Sequence, residues 1–370
     1  MRKAHLFFPE NDLALARDLA RYTAPPAAVR LRKAGAALPL WYGADGDCFV
    51  AQGVDALWLD SVKGRFGMDI DVFDYRPERY SPVPWGWSKA SRTYFESLGF
   101  GRQSLPDDSR LEALRTLSHR RTASDIARRL AAKLPFAVAP AAEELFSEEE
   151  VRRFVKRRGR AVFKLPWSSS GRGIVSVEAS TLDAQLPMLR GMLRRQESVT
   201  AEPRYDKKLD FAMLFTMDGG SCSFSGVSVF DTAALGVYAG NRLAPQELLE
   251  AEICSMVGRE VFDGVRDALP EVLSAIIGDV YNGPVGVDMM AVDNQDYAIA
   301  PAVELNLRNT MGHVCLSLYD RYIERGAVGR FAVEKTRRAD SADVYGGRLR
   351  HGVFNLVPPG GDVTFCVELR

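Results

Sequence analysis

Three residues in the last third of the chain have types and spacing that could do chemistry. Asp288 lies in Gly286-Val287-Asp288-Met289-Met290, and Glu304 and Asn306 lie in Val303-Glu304-Leu305-Asn306-Leu307. Residues two apart in a strand point the same way, so Glu304 and Asn306 share one face while Val303, Leu305 and Leu307 take the other. A reversal at the polar turn Asp293-Asn294-Gln295-Asp296 brings Asp288 beside Glu304. Two carboxylates and an amide oxygen, with no Cys or His between them, suit a hard cation such as Mg²⁺ or Mn²⁺. From Tyr281 to Leu307 there are four acidic residues and no basic one, so these acids lack a sequence-local counterion. The blander reading, a solvated hairpin with an acidic outer face, accounts less well for Glu and Asn inside so apolar a strand. Arg308 follows at once, and its planar fork suits an anionic intermediate.

A second constellation runs Lys164-Leu165-Pro166-Trp167-Ser168-Ser169-Ser170-Gly171-Arg172-Gly173, between one strand pattern and another at Ile174 to Val177. Hydroxyls, glycines and exposed amides can wrap phosphate oxygens, because glycine permits close backbone approach. Lys164, leaving the strand, supplies a point charge to the same phosphates. The order is neither a Walker motif nor a dinucleotide fingerprint. Taken alone, a solvated Ser/Gly hairpin loop explains it equally well.

The elements that must position these residues read as several α/β segments. Residues 4–8 read as a strand, and Leu13 to Tyr22 as a helix after the Pro9-Glu10-Asn11-Asp12 turn. That turn, at a strand end where open sheets bind ligands, suits a second substrate or a helix cap by Asn11 or Asp12. Leu38 to Tyr42 and Ala56 to Leu59 read as further strands, and 82–108 as a turn-rich domain edge. Ser147 and Glu150 spell a capping box ending at Gly159, before the strand from Ala161. Asp218-Gly219-Gly220 marks a hairpin between strands at 210–217 and 221–230. Helices open at Pro245 and at Pro270.

With 370 residues, two to three domains are expected. Forty-eight basic residues balance forty-eight acidic ones, which argues against a nucleic-acid or membrane partner. The zero is an average: Arg110 to Lys164 holds fourteen Lys or Arg against seven Asp or Glu. Five scattered cysteines without C-x-x-C spacing, and no signal-peptide core or membrane-length apolar run, lead to an expected cytoplasmic location.

The basic helical lead-in, the strand-Lys-Pro-Ser/Gly loop-strand, and the final GVDMM…VELNLR pair together resemble the ATP-grasp superfamily over about residues 113–315. The resemblance implies an α+β fold in which two α/β subdomains clasp ATP, preceded by a small open-sheet α/β domain at 1–112. The subdomains would be 113–201, with the phosphate loop, and 202–330, with the metal site; 331–370 would pack on the core. Lys164 would contact a phosphate, Ser168, Ser169, Ser170, Gly171, Arg172 and Gly173 would form the lid, and Glu202 would stand at the adenine hinge. Asp288, Glu304 and Asn306 would ligate one or two Mg²⁺ (or Mn²⁺) ions, with Arg308 facing the transferred phosphate. The family places a lysine where this chain has Arg120 or Arg121, and Pro301 interrupts the second metal strand, which implies a bulge.

The activity so implied is an ADP-forming ligase: a small-molecule or peptide carboxylate is activated as an acyl phosphate and attacked by an amine or thiol. An ATP-grasp phosphotransferase and a nucleotide-binding protein without turnover are the alternatives. Arg242 and His313 read as structural, and the sequence does not set the oligomeric state.

Overall fold

The computed structural model describes residues 1–168, 173–233 and 237–370. The chain opens with β1 (Arg2–Leu6), α1 (Asn11–Arg17), α2 (Pro26–Ala34), β2 (Cys48–Phe49), α3 (Ala56–Phe66), β3 (Asp71–Val72), β4 (Tyr80–Pro84), α4 (Lys89–Ser97) and α5 (Asp108–Leu117). It continues with α6 (Arg120–Lys133), β5 (Glu143–Leu145), α7 (Glu148–Arg158), β6 (Arg160–Lys164), β7 (Ile174–Glu178), α8 (Leu182–Gln196) and β8 (Val199–Pro203). Then come β9 (Lys207–Asp218), β10 (Ser221–Ala233), β11 (Val237–Leu243), α9 (Gln246–Val257), α10 (Arg259–Ile277), β12 (Gly283–Val292) and β13 (Ile299–Asn306). The chain closes with α11 (Met311–Tyr322), β14 (Gly329–Glu334), β15 (Asp343–Tyr345), β16 (Arg348–Asn355) and β17 (Thr364–Leu369). Two compact units result, one of 1–114, 239–249 and 308–370, the other of 115–238 and 250–307.

In the first unit, β3-β2-β1-β4 form a parallel sheet, and β14, β17 and β16 pair antiparallel. Its core gathers around Trp41, whose ring meets Phe66, Tyr322 and Phe354 edge-on at 5.1, 5.5 and 5.7 Å and whose Nε1 donates to the Leu356 carbonyl at 2.7 Å. Two expected strands are absent. Leu38–Trp41 is a buried 3₁₀ turn, where Pro39 lacks the N–H a ladder uses. Ala56 begins α3, because the Asp55 carboxylate accepts from the Leu57 and Trp58 amides at 2.9 and 3.1 Å and so starts a helix. The true strands β2 and β3 have two residues each, too short for alternation to show. The expected turn-rich edge instead holds β4 and α4, the latter with a capping box between Ser88 and Ser91. Asn11 and Asp12 lie inside α1 and neither caps it.

In the second unit, β5-β8-β6-β7 form a small antiparallel sheet. One face (Leu145, Val199, Ala201, Ala161, Phe163, Val175, Val177) is buried with Val151, Phe154, Val155 of α7 and Leu189, Met192 of α8. The expected capping box holds: the Glu150 amide donates to Ser147 Oγ at 3.3 Å and the Ser147 amide to Glu150 Oε2 at 3.2 Å. Gly159 ends α7 at φ 73°, which a side chain would resist. The second sheet runs β13-β12-β9-β10, with α10 against β9 and β10 and α6 against β13. Pro270 lies inside α10 instead of opening a helix. The apolar stripe of Phe262, Val265, Leu269, Val272, Leu273 and Ile277 passes through it, and burying that stripe outweighs one missing backbone bond.

Candidate active site

The β12–β13 hairpin sets the candidate metal ligands. Asp288 is the direct cross-strand partner of Glu304, and Gly286 is that of Asn306, so the two carboxylates and the amide stand on one face. The other face of this sheet carries Val285, Val287, Met289, Phe211, Met213, Phe215 and Leu305, all buried. Apolar packing beneath thus fixes which way the acids point. The implied bulge is present: the register passes from Asp288/Glu304 to Met290/Ala300, so residues 301–303, Pro301 among them, oppose Met289 alone. Among the described residues no three Cys, His, Asp or Glu side chains gather as a metal cluster. The donor set is two carboxylates and an amide, oxygen donors throughout, which fits a hard cation such as Mg²⁺ or Mn²⁺.

The small sheet supplies the other half. Lys164 ends β6 opposite Thr200, and Val162 pairs with Glu202, so Lys164 and Glu202 are diagonal neighbours on one face. Their side chains are 8% and 10% exposed and Lys164 Nζ lies 2.5 Å from Glu202 Oε1. On that face the hydroxyls of Thr200 and Ser176 are buried with no hydrogen-bond partner among the described residues. Unpartnered buried hydroxyls beside a buried ammonium fit a polar ligand.

The root of the phosphate loop is tightly tied. The Leu165 amide donates to the Gly173 carbonyl at 2.9 Å, and Gly173 sits at φ 71° where a Cβ would meet Leu165 Cδ1 at 2.6 Å. Trp167 exchanges both backbone bonds with the Gln196 side chain, at 2.8 and 2.9 Å, and its Nε1 donates to the Arg115 carbonyl at 3.0 Å. The Arg115 guanidinium lies 4.1 Å over the indole and the His119 ring meets its edge at 4.6 Å. Ser169, Ser170, Gly171 and Arg172 lie outside the described residues.

Arg120, one of the two arginines expected in place of the family's lysine, opens α6 and is 6% exposed. Its Nε donates to the Leu165 carbonyl at 3.0 Å, and its Nη2 donates to Ser168 Oγ at 3.2 Å and stands 3.0 Å from Glu304 Oε2. The preceding His119 caps α6, its Nδ1 accepting from the Arg121 amide at 3.0 Å, and its Nε2 is 3.3 Å from Glu144 Oε1. Burial lowers the His119 pKa to about 4, with the charges of Arg121, Arg115 and Arg120 adding to the drop and Glu144 opposing it. Sequence reasoning singled out none of Gln196, Trp167 and Glu144 as a partner. They act through contacts distant in sequence, and no local pattern marks them.

In the first unit, Arg308 forms a fork with Asp12: Nε lies 3.1 and 3.2 Å from the two carboxylate oxygens and Nη2 2.8 Å from Oδ2. Beside them, a Cβ on Gly86 would meet Asn11 Nδ2 at 2.6 Å and Arg308 Cβ at 2.9 Å, so only glycine fits. His313 lies near the start of α11, with Nδ1 2.9 Å from Thr310 Oγ1, the helix cap.

No family model and no curated protein sequence matches the chain. Solved structures do. Biotin carboxylase of Campylobacter jejuni, in a β-γ-ATP complex, matches at TM-score 0.56 and 12% identity, over 100% of this chain and 88% of that one. The biotin carboxylase domain of Hydrogenobacter thermophilus 2-oxoglutarate carboxylase, in complex with MgADP, ADP and bicarbonate, matches at 0.52 and 13%, over 100% and 86%. Both are ATP-grasp enzymes, and the likeness spans this chain from end to end. The expected α+β architecture is thereby met: the chain has the ATP-grasp fold, preceded by an open parallel α/β sheet.

Proposed function

We propose that this protein is an ATP- and Mg²⁺-dependent ligase that activates a carboxylate as an acyl phosphate for attack by an amine or thiol, releasing ADP and phosphate. The observation that carries the reading is the pairing of Asp288 with Glu304 in register, joined through Arg120 to the loop that follows Lys164. Two structural neighbours crystallised with adenine nucleotides, one with MgADP and bicarbonate, support it. The subdomain division at residues 113–201 and 202–330 is part of the proposal, as is a cytoplasmic location. No described helix is long and apolar enough to cross a membrane.

In this reading Asp288, Glu304 and Asn306 hold Mg²⁺, which neutralises charge on the phosphate oxygens when bound. Lys164, desolvated and steered by Glu202, presents a fixed ammonium to a phosphate. Ser168 and Gly173 hold the loop's two ends, and its glycines allow backbone amides to approach the triphosphate. Glu202 doubles as the hinge carboxylate for the ribose hydroxyls. Arg308, oriented by Asp12, keeps its charge and stabilises the anion formed as phosphate is transferred. None of these roles moves a proton, so the chemistry rests on position and charge.

The test is ADP release from purified protein with ATP and pooled carboxylates and amines. Release that needs both substrates and disappears in Asp288→Ala is the expected result. ADP release with a hydroxyl acceptor alone would point to the phosphotransferase, AMP to another class, and Mg²⁺-dependent binding without turnover to a nucleotide-binding protein.

A further inference from the structure

Arg120 makes contacts that holding a phosphate would not require. Its backbone N–H donates to the Pro166 carbonyl at 3.2 Å, and its side chain takes the Leu165 carbonyl, the Ser168 hydroxyl and Glu304 Oε2. Three successive points on the loop root and one carboxylate oxygen of β13 therefore hang on one nearly buried residue. A lysine could not replace it, because an ammonium offers its donors from one atom, whereas a guanidinium spreads them across a rigid plane.

We propose that Arg120 is a positioning residue that couples Glu304 to the loop root and trades metal affinity for nucleotide affinity. The inference rests on the function proposed above. A guanidinium 3.0 Å from Glu304 occupies Oε2 and repels a cation arriving between Asp288 and Glu304, so it weakens binding of metal alone. The same side chain fixes Leu165 and Ser168 immediately past Lys164, which strengthens binding of nucleotide. Removing it therefore moves the two affinities in opposite directions, whereas a merely structural staple would lower both.

The experiment titrates the full chain with Mn²⁺ alone, read by the loss of the free-ion electron paramagnetic resonance signal, and with ADP in chelator, read by calorimetry. In Arg120→Gln, Mn²⁺ binding tightens about tenfold and ADP binding weakens about tenfold, the size of one charge contact. In Arg120→Lys, which keeps the charge and loses the fork, Mn²⁺ affinity stays near wild type and only ADP weakens. Both affinities falling together, or neither changing, overturns the inference. If Arg120→Gln does not fold, the Arg120→Lys pattern decides alone, equal weakening of both ligands overturning it. Wild-type protein that binds neither Mn²⁺ nor ADP would instead overturn the proposed function itself.

Discussion

The second unit holds two sets of ion pairs made from the same residue types with opposite leverage. On α7 and α8, Glu148 is gripped by Arg152 and Arg190, side chains 45% and 52% exposed, and their hydrogen bonds pull its pKa to about 2. At the site, Lys164–Glu202 and Arg120–Glu304 are pairs in which Lys164, Glu202 and Arg120 are each at most 10% exposed. Water screens the first set, so its geometry can fail at little cost. The second set has given up hydration and depends on each partner staying in place. The basic surplus between Arg110 and Lys164 divides accordingly: most of its arginines face solvent, and the two cations that reach the site are buried.

The largest expected effect breaks a buried pair. Lys164→Met leaves the Glu202 carboxylate buried and uncompensated, which should cost about 3–5 kcal/mol in urea unfolding and reduce turnover at least about a hundredfold. A loss no larger than that of a surface variant would erase the distinction. Next, Gln196→Ala releases both backbone bonds of Trp167 and should cost about 1–3 kcal/mol. If the loop root holds nucleotide as proposed, this change should raise the KM for ATP more than it lowers kcat.

A pH effect of intermediate size comes from His119. Its pKa is lower in the folded chain, about 4, than the ordinary 6.5, so the unfolded chain binds more protons between those values. Stability should be full above pH 6.5, fall as pH drops toward 4, and show a shallower slope in His119→Asn, which can still cap α6. Equal slopes in melts from pH 4 to 6.5 would remove His119 from the account. Smallest, Arg152→Ala should leave the unfolding midpoint within experimental scatter at physiological salt, and any shift should vanish as salt rises.

Legibility in the sequence followed contact range. Asp288, Glu304 and Asn306 were readable because a short hairpin joins them and alternation fixes their face. The capping box of α7 and the Asp218–Ser221 turn were readable for the same reason. Lys164 and Glu202 could each be singled out as candidates, but their pairing could not, since β6 and β8 become neighbours only after β7 and α8 intervene. The link from Arg120 to Glu304 spans most of the second unit and leaves no periodic trace. Leu38–Trp41 and Ala56–Leu59 misled because short apolar runs carry no period, and a proline and one Asp cap decided their structure. Substrate identity is set by side chains around a bound substrate, and substrate shape writes no spacing rule into the chain.

The bulge on β13 lies between the Asp288–Glu304 pair and the exposed turn at residues 293–296. It works as a slip joint. Changes in length at the turn are absorbed on its far side, while the ladder from Gly286/Asn306 to Asp288/Glu304 is separately anchored by pairing of β12 with β9. That makes Asn294–Gln295 a natural place to insert a short peptide or attach a spectroscopic label, reporting from the Asp288–Glu304 hairpin without shifting its register.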